Sequence, residues 1–172
     1  QYTININRQA ASVNNAGGNN NQNNNNQNNT DVNITSGKYS IGTYITGIEP
    51  GTGAADFVKN IAVSASGTVK LLTSSGSENS GKIATGNKVA VYDASGNLKK
   101  TYDIVIYGDI NGDGAVNALD MIKLNRHILG KGTLTGAYQE AADANRKGDG
   151  GNALDMIIMN RHILGKSKIS QN

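Results

Sequence analysis

The sequence lacks cysteine and tryptophan and contains one proline and one phenylalanine among 172 residues. Without cysteine, the chain has no disulfide bond, no zinc–thiolate site and no thiol nucleophile. No run of purely apolar residues exceeds four, so no segment is predicted to span a membrane. Glycine, with 22 residues, and asparagine are instead abundant, which is typical of turns and linkers.

The net charge of +3 does not predict a nucleic-acid partner. The 16 basic residues are scattered, without a dense run and without interleaved aromatic residues. The acidic residues are clustered instead, because six of the 13 fall within residues 109–120 and 143–155. Clustered carboxylates that face no basic surface usually hold a metal ion, which makes these two stretches candidate metal sites.

Composition divides the chain into four segments. Residues 1–13 begin with an alternating, strand-like pattern and are predicted to be the end of a truncated upstream β module. Residues 14–35 are predicted to be an Asn-rich flexible linker, since 14–29 hold 11 asparagines and no charged residue. The alternative for this tract is an aggregation-prone low-complexity segment. A small α+β module at 36–107 and a helical module at 108–168 follow.

The module at 36–107 contains no acid pair, no nucleophile with a base and no phosphate-binding loop. It is therefore predicted to be a spacer, with a hidden sugar-binding site as the alternative. A turn at residues 94–97 predicts a β-hairpin. The predicted strands lie at 38–48, 68–73, 83–84, 88–93 and 100–107, with helical spacing over 55–62.

The C-terminal third contains an internal repeat. Residues 117–131 read NALDMIKLNRHILGK, and residues 152–166, 35 positions later, read NALDMIIMNRHILGK. The two copies differ at only two positions. Each copy has the length and apolar spacing of one helix, so the repeat predicts two equivalent helices.

The stretch DINGDGAVNALD, residues 109–120, has the spacing of a calcium-binding loop. Ca²⁺ takes oxygen ligands, and a 12-residue loop supplies them from positions 1, 3, 5, 7, 9 and 12, with position 7 using its backbone carbonyl. Gly114 at position 6 permits the sharp turn. The alternative is an Asx-rich turn without metal. The predicted ligands are Asp109, Asn111, Asp113, Ala115, Asn117 and Asp120.

Two loop–helix units joined by a short helical linker resemble a type I dockerin, the module that binds cohesins in cellulosomes and amylosomes. The resemblance covers Gly108 to about Lys166, and each loop ends in Asp (Asp120, Asp155) rather than Glu. As in that family, no helix precedes the first loop. The resemblance implies two Ca²⁺ sites and an α+β chain, in which an Ig-like or X-module-like spacer at 36–107 precedes an all-α dockerin.

The second loop, DANRKGDGGNALD at 143–155, has 13 residues and departs from the family pattern. Lys147 falls at position 5, where an acidic ligand is expected. If the chain loops out near Lys147 and Gly148, Asp149 takes that position, which predicts a bent and weaker calcium site rather than an empty loop. The predicted ligands are Asp143, Asn145, Asp149, Asn152 and Asp155.

The helices are predicted to carry a binding surface as well as a core. On a helical wheel Met121, Leu124 and Ile128 cluster on the core side, whereas Leu119 lies nearly opposite. The family's cohesin contacts come from the end of each loop and the following helix. The resemblance therefore implies partner-binding residues Ala118, Leu119, Ile122, Lys123, Asn125 and Arg126, and in the second copy Ala153, Leu154, Ile157, Ile158, Asn160 and Arg161.

Identical exposed residues in the two copies imply that one cohesin could dock in either of two orientations, as the family allows. A recent duplication is the alternative explanation. His127 and His162 are predicted to be surface residues rather than metal or acid–base groups.

The resemblance implies a non-enzymatic, calcium-dependent dockerin that anchors a secreted polysaccharide-degrading or carbohydrate-binding protein to a scaffoldin or cell-surface complex. Three carboxylates per loop suit extracellular calcium concentrations. No nucleic-acid, membrane or small-molecule partner is expected. The alternatives are a calcium sensor or buffer, a calcium-stabilised structural cap of a surface protein, and an enzyme with its active site in 36–107.

Overall fold

The computed structural model describes residues 32–172. The predicted upstream β module at 1–13, and the predicted linker at 14–35 up to residue 31, lie outside the described residues. Two sheets occupy the N-terminal part and three helices the part from 118 to 163, which confirms the expected mixture of helix and sheet. None of the helices within 32–172 is long and apolar enough to cross a membrane.

The elements follow one another in a simple order. The strands are β1 (Ile34–Thr35), β2 (Ser40–Ile41), β3 (Tyr44–Thr46), β4 (Ala62–Val63), β5 (Thr68–Leu72), β6 (Lys88–Tyr92) and β7 (Leu98–Ile104). The helices are α1 (Ala54–Val58), α2 (Ala118–Ile128), α3 (Gly136–Ala142) and α4 (Ala153–Ile163).

The main sheet has five strands in the order β2-β3-β7-β6-β5. All pairings are antiparallel except that of β3 with β7, where Ile45 lies opposite Ile104. The predicted hairpin at 94–97 is confirmed between β6 and β7, and its turn is closed by the Asp93 amide donating to the Asn97 carbonyl at 3.0 Å. Strands β1 and β4 form a separate two-stranded sheet.

Four predicted elements differ in the structure. The helix predicted from the spacing over 55–62 ends at Val58, and Ala62 belongs to β4. Ile83 and Ala84 are not a strand, because the Ile83 amide donates to the Thr52 carbonyl at the end of a turn rather than to a neighbouring strand. The predicted strand at 38–48 is divided into β2 and β3. Val32 and Ile34 are buried in the core of the sheet module, so the folded module begins before residue 36, inside the predicted linker.

The segment Ile104–Tyr107 connects two hydrophobic cores. Ile104 and Ile106 are buried in the core of the β module, while Val105 and Tyr107 are buried in the core of the helical part. Successive side chains of an extended chain point to opposite sides, so four consecutive apolar residues can serve both cores. The strand therefore passes directly from the sheet into the first loop, without an intervening linker.

The second core lies between α2 and α4. Leu124 and Met159, which occupy equivalent positions of the two repeats, are fully buried there, and Met121 is partly buried. Ile128 was expected in this core but is 39% exposed, because α2 ends at this residue. Helix α3 completes the core with its buried alanines.

Candidate calcium loops and interaction surface

The first loop is organised around the fully buried carboxylate of Asp109. Its Oδ1 accepts hydrogen bonds from the amides of Gly112 (2.9 Å) and Asp113 (3.0 Å). Its Oδ2 accepts from the amides of Gly114 (3.1 Å) and Thr85 (2.8 Å). Gly112 and Gly114 have φ values of +76° and +79°, which bring their amides round to one carboxylate.

Asp120 connects the start of the first loop to the start of α2. Its Oδ1 accepts from the amides of Ile110 (2.8 Å) and Asn111 (2.9 Å), and its Oδ2 from the amide of Asn117 (2.9 Å). The Asn117 side chain in turn accepts from the Leu119 amide at 2.8 Å, and reciprocal bonds between Asn117 and Asp120 form a capping box. The loop residues at positions 9 and 12 thus fix the direction in which α2 leaves the loop.

The remaining candidate ligands of the first loop lie nearer the surface. The Asn111 side-chain amide donates to Asp113 Oδ2 at 2.8 Å, and the Ala115 amide donates to Asp113 Oδ1 at 2.9 Å. Asp113 is exposed, whereas Asn111 and Ala115 are half-buried. All six predicted ligand positions therefore lie in one tight loop, with two carboxylates beneath and one at the surface.

Burial makes the ionised forms of these carboxylates costly. It raises the pKa of Asp109 to about 6, with the nearby Asp120 carboxylate adding to the effect, and it raises the pKa of Asp120 and of Asp155. Hydrogen bonds that backbone amides donate to each carboxylate oppose this rise in pKa. Oxygen donors of this kind suit a hard cation in both loops, but within residues 32–172 only the second loop brings three carboxylates within 4.8 Å of one another.

The second loop repeats two of the hydrogen bonds that the first loop makes to its first residue, whereas the Arg146 amide donates to the Asp143 backbone carbonyl. Asp143 accepts from the amides of Lys147 (3.1 Å) and Gly148 (2.6 Å), as Asp109 does from Asp113 and Gly114. Lys147 and Gly148 therefore occupy the backbone places of positions 5 and 6. The extra residue thus follows Gly148, next to the Lys147-Gly148 stretch near which the chain was predicted to loop out.

The acidic residues of the second loop nevertheless converge. Within residues 32–172, Asp143, Asp149 and Asp155 are the acidic group whose carboxylate oxygens lie within 4.8 Å of one another. Asp143 and Asp155 are buried and Asp149 is exposed. Asp155 accepts from the backbone amides of Asn145 (2.9 Å) and Asn152 (3.0 Å), which ties both ends of the loop to this carboxylate.

One backbone feature separates the second loop from the first. Arg146 has a φ of +55°, at the place where the first loop has Gly112. A side chain is strained in this conformation, whereas glycine is not. The Arg146 guanidinium lies 5.8 Å from the centre of the Tyr107 ring, a favourable cation–π contact that holds the residue in place.

The predicted partner-binding residues lie mostly at the surface. Leu119 and Ile122 on α2, and Leu154 and Ile157 on α4, are each more than half exposed. The predicted polar and small residues beside them are exposed as well: Ala118, Lys123, Asn125, Arg126, Ala153, Asn160 and Arg161. Each helix thus carries an apolar stripe opposite its buried face.

The exposed stripes contain a different set of residues from the predicted binding surface. Ile158 is half-buried and packs against the helical core, whereas its counterpart Lys123 is exposed and lies 5.8 Å from the Tyr138 ring. Leu129 and Leu164 were not predicted as binding residues but are more than half exposed. Their spacing of seven residues from Ile122 and Ile157 was the signal that continues each stripe along the helix.

The two histidines have a structural role that their sequence positions did not indicate. His127 Nδ1 accepts from the Leu134 amide at 3.3 Å, and His162 Nδ1 accepts from the Ile169 amide at 3.1 Å. Both rings are half-buried, and Leu134 and Ile169 are buried in the helical core. Each histidine therefore holds the chain that follows its helix, and the structural repeat extends to residue 169.

Comparison with protein families identifies the part of the chain that carries these loops. Residues 107–164 match the model of the dockerin type I domain, the family that the sequence resemblance predicted for this segment. No curated protein and no solved structure matches the chain.

Dockerin domains are non-catalytic interaction modules that bind cohesins in a calcium-dependent manner. The matched segment covers about a third of the 172 residues, and the β module lies outside it. A calcium-dependent interaction with a cohesin is accordingly the function that the family implies for the helical part.

Proposed function

We propose that this chain anchors a secreted protein to a scaffoldin or cell-surface complex by binding a cohesin through the exposed stripes of α2 and α4. The α2 stripe is defined as Leu119, Ile122, Arg126 and Leu129, and the α4 stripe as Leu154, Ile157, Arg161 and Leu164. The exposure of these two matching stripes is the observation that carries the proposal, because large exposed apolar surfaces mark interaction sites.

Calcium is proposed to hold both loops in shape. The first site would use the side chains of Asp109, Asn111, Asp113, Asn117 and Asp120 and the carbonyl of Ala115. The second would use those of Asp143, Asn145, Asp149, Asn152 and Asp155. The ion supplies the positive charge that the buried carboxylates lack. The capping boxes then transmit the shape of each loop to the direction of its helix, so a cohesin would meet both stripes at a fixed angle.

The stripes support two binding orientations. Leu119 corresponds to Leu154, Ile122 to Ile157, Arg126 to Arg161 and Leu129 to Leu164, so either helix presents the same anchors. Leucine and arginine together suit an interface anchor, with apolar contact at the centre and a charged group at the edge. Lys123 and the half-buried Ile158 are the exception, and this difference is expected to bias the choice of orientation.

We also propose roles for the parts of the chain outside the dockerin segment. The β module is a non-catalytic spacer next to the dockerin, the Asn-rich tract is a flexible linker, and the attached protein acts on or binds polysaccharides outside the cell. We place the boundary between spacer and dockerin at residues 107–108, where the sheet strand runs into the first loop.

A cohesin-binding assay tests the proposal. The full chain is titrated into a panel of purified cohesins by calorimetry, once in calcium and once with excess chelator. We expect binding to at least one cohesin in calcium and none with chelator. Binding that survives complete removal of calcium would contradict the proposal, and a chain that opens a groove for helical peptides would favour the sensor alternative.

Variants of the stripes test the two orientations. Leu119→Asp or Leu154→Asp alone should weaken binding only a few-fold, because the other stripe remains intact, whereas the double variant should lose roughly 30-fold or more. Leu98→Asp is the matched control, since Leu98 is 56% exposed but lies in the β module. Loss of binding in Leu119→Asp alone would refute a second orientation.

A further inference from the structure

The β module contributes directly to the first calcium loop. The Thr85 amide donates to Asp109 Oδ2 at 2.8 Å, although the two residues are 24 positions apart. An ionised carboxylate offers about four acceptor positions, and in Asp109 one of the four donors comes from the β module. The Thr85 amide is itself held, because its side-chain hydroxyl donates to the Ile106 carbonyl and accepts from the Ile106 amide.

The backbones of the module and the loop are also in close contact. The Gly51 amide donates to the Gly114 carbonyl at 2.9 Å. A Cβ atom on Gly114 would lie 2.5 Å from the Ile83 carbonyl oxygen, and one on Gly112 would lie 2.9 Å from the Thr85 carbonyl oxygen. Neither glycine could therefore be replaced without moving the loop away from the module.

The second loop lacks the equivalent of this bond. The amides that donate to Asp143 come from Lys147 and Gly148, within the same loop. The first loop has no incoming helix, and the β module occupies its place. Besides the extra residue and Arg146 of the second loop, the two candidate calcium sites thus differ in this bond from the β module, which an experiment can isolate.

We propose that Thr85 is a positioning residue of the first calcium loop, so that calcium binding at this loop and the stability of the adjacent β-module segment are coupled. The proposal rests on the proposed function, since it assumes that the first loop binds calcium. Coupling between two parts of one molecule is reciprocal. The module favours the metal-binding shape of Asp109, and the metal in turn holds the segment around Thr85, while the second loop does not take part.

Amide hydrogen exchange of the full chain tests the effect of calcium on the module. We expect calcium to slow exchange of the Thr85 and Gly51 amides at least tenfold. Asp113→Asn should abolish this protection, because Asp113 belongs to the first loop and bonds only within it. Asp149→Asn, the matched change in the second loop, should leave the protection intact. Equal protection in both variants would overturn the proposal.

Calcium titration tests the reverse effect. In the Asp149→Asn background, calorimetry reports the first loop alone. In this background Thr85→Val, which removes the hydroxyl that bonds to Ile106, should weaken calcium binding roughly three- to tenfold. Thr85→Ser, which keeps the hydroxyl, should restore the affinity to within about twofold, a rescue that loss of packing alone would not produce.

Two failures are distinguishable. In the first, the first loop binds calcium normally, Thr85→Val and Thr85→Ser have equal calcium affinities, and calcium does not change the exchange rate of the Thr85 amide. The coupling is then refuted and the proposed function stands. If the Asp149→Asn protein binds no calcium at all, the calcium role of the first loop fails, and the coupling with it.

Discussion

Replacing Gln171 with alanine should destabilise the folded chain substantially, although Gln171 lies next to the C-terminal residue and beyond the segment that matches the dockerin domain. Its side chain is 2% exposed. Its Oε1 accepts from the Tyr107 amide at 2.8 Å, and its Nε2 donates to the Tyr107 carbonyl at 3.0 Å. This pair of bonds fastens the end of the chain to the strand that leads into the first loop.

The magnitude follows from the groups left behind. Alanine at position 171 leaves a buried amide and a buried carbonyl of Tyr107 without partners. Each buried polar group that loses its partner costs about 1–3 kcal/mol, and water entering the vacated space lowers the sum. We therefore expect the free energy of unfolding to fall by roughly 2–4 kcal/mol.

Urea denaturation of the full chain in excess calcium measures this change, followed by circular dichroism because the chain has no tryptophan. Lys168→Ala is the control, since Lys168 is exposed and its loss should change stability by less than about 0.5 kcal/mol. Gln171→Glu should destabilise the chain at least as much as Gln171→Ala at neutral pH, because it would bury an unpaired carboxylate that faces the Tyr107 carbonyl oxygen. A Gln171→Ala protein as stable as the Lys168 control would refute the reasoning.

Three further predictions concern the helical part. Met159→Ala should lower the free energy of unfolding by about 2–5 kcal/mol in urea denaturation, because Met159 is fully buried between α2 and α4; a change below 1 kcal/mol would contradict the described core. Removing calcium with a chelator should reduce the helical circular dichroism signal, since each helix begins at a loop whose buried carboxylates then lack a cation; an unchanged spectrum would mean that the loops fold without metal. Asp149→Asn should reduce the calcium stoichiometry in calorimetry from two to one, whereas Lys147→Ala should leave it at two, because the Asp149 carboxylate joins the second cluster and the place of Lys147 is defined by its backbone; loss of a site in Lys147→Ala would contradict this assignment.

The helical repeat illustrates what local sequence patterns predict well. Asn117 and Asn152 start the helices that the repeat predicted, and Leu124 and Met159 meet in the core. Helix capping and apolar spacing act between residues at most a few positions apart, so a short stretch of sequence contains all the information they need. The dockerin resemblance could be found in the same way, because the loop ligands follow a fixed spacing.

Long-range contacts had no comparable signal. The place of Thr85 beside Asp109 is an example, because no pattern in the sequence pairs two residues 24 positions apart. Ile158 was predicted to be a binding residue from its position in the repeat, but it is half-buried against the helical core. Equivalent sequence positions acquire different surroundings when the elements packed against them differ.

The order of residues alone determined the two loops, the two helices that follow them and the alternation that lets Ile104–Tyr107 serve two cores, because each depends on neighbours along the chain. Only the tertiary structure decided that the Thr85 amide donates to Asp109 and that the Gln171 side chain bonds to the Tyr107 backbone. These bonds join residues 24 and 64 positions apart, and their partners meet only after both cores have packed.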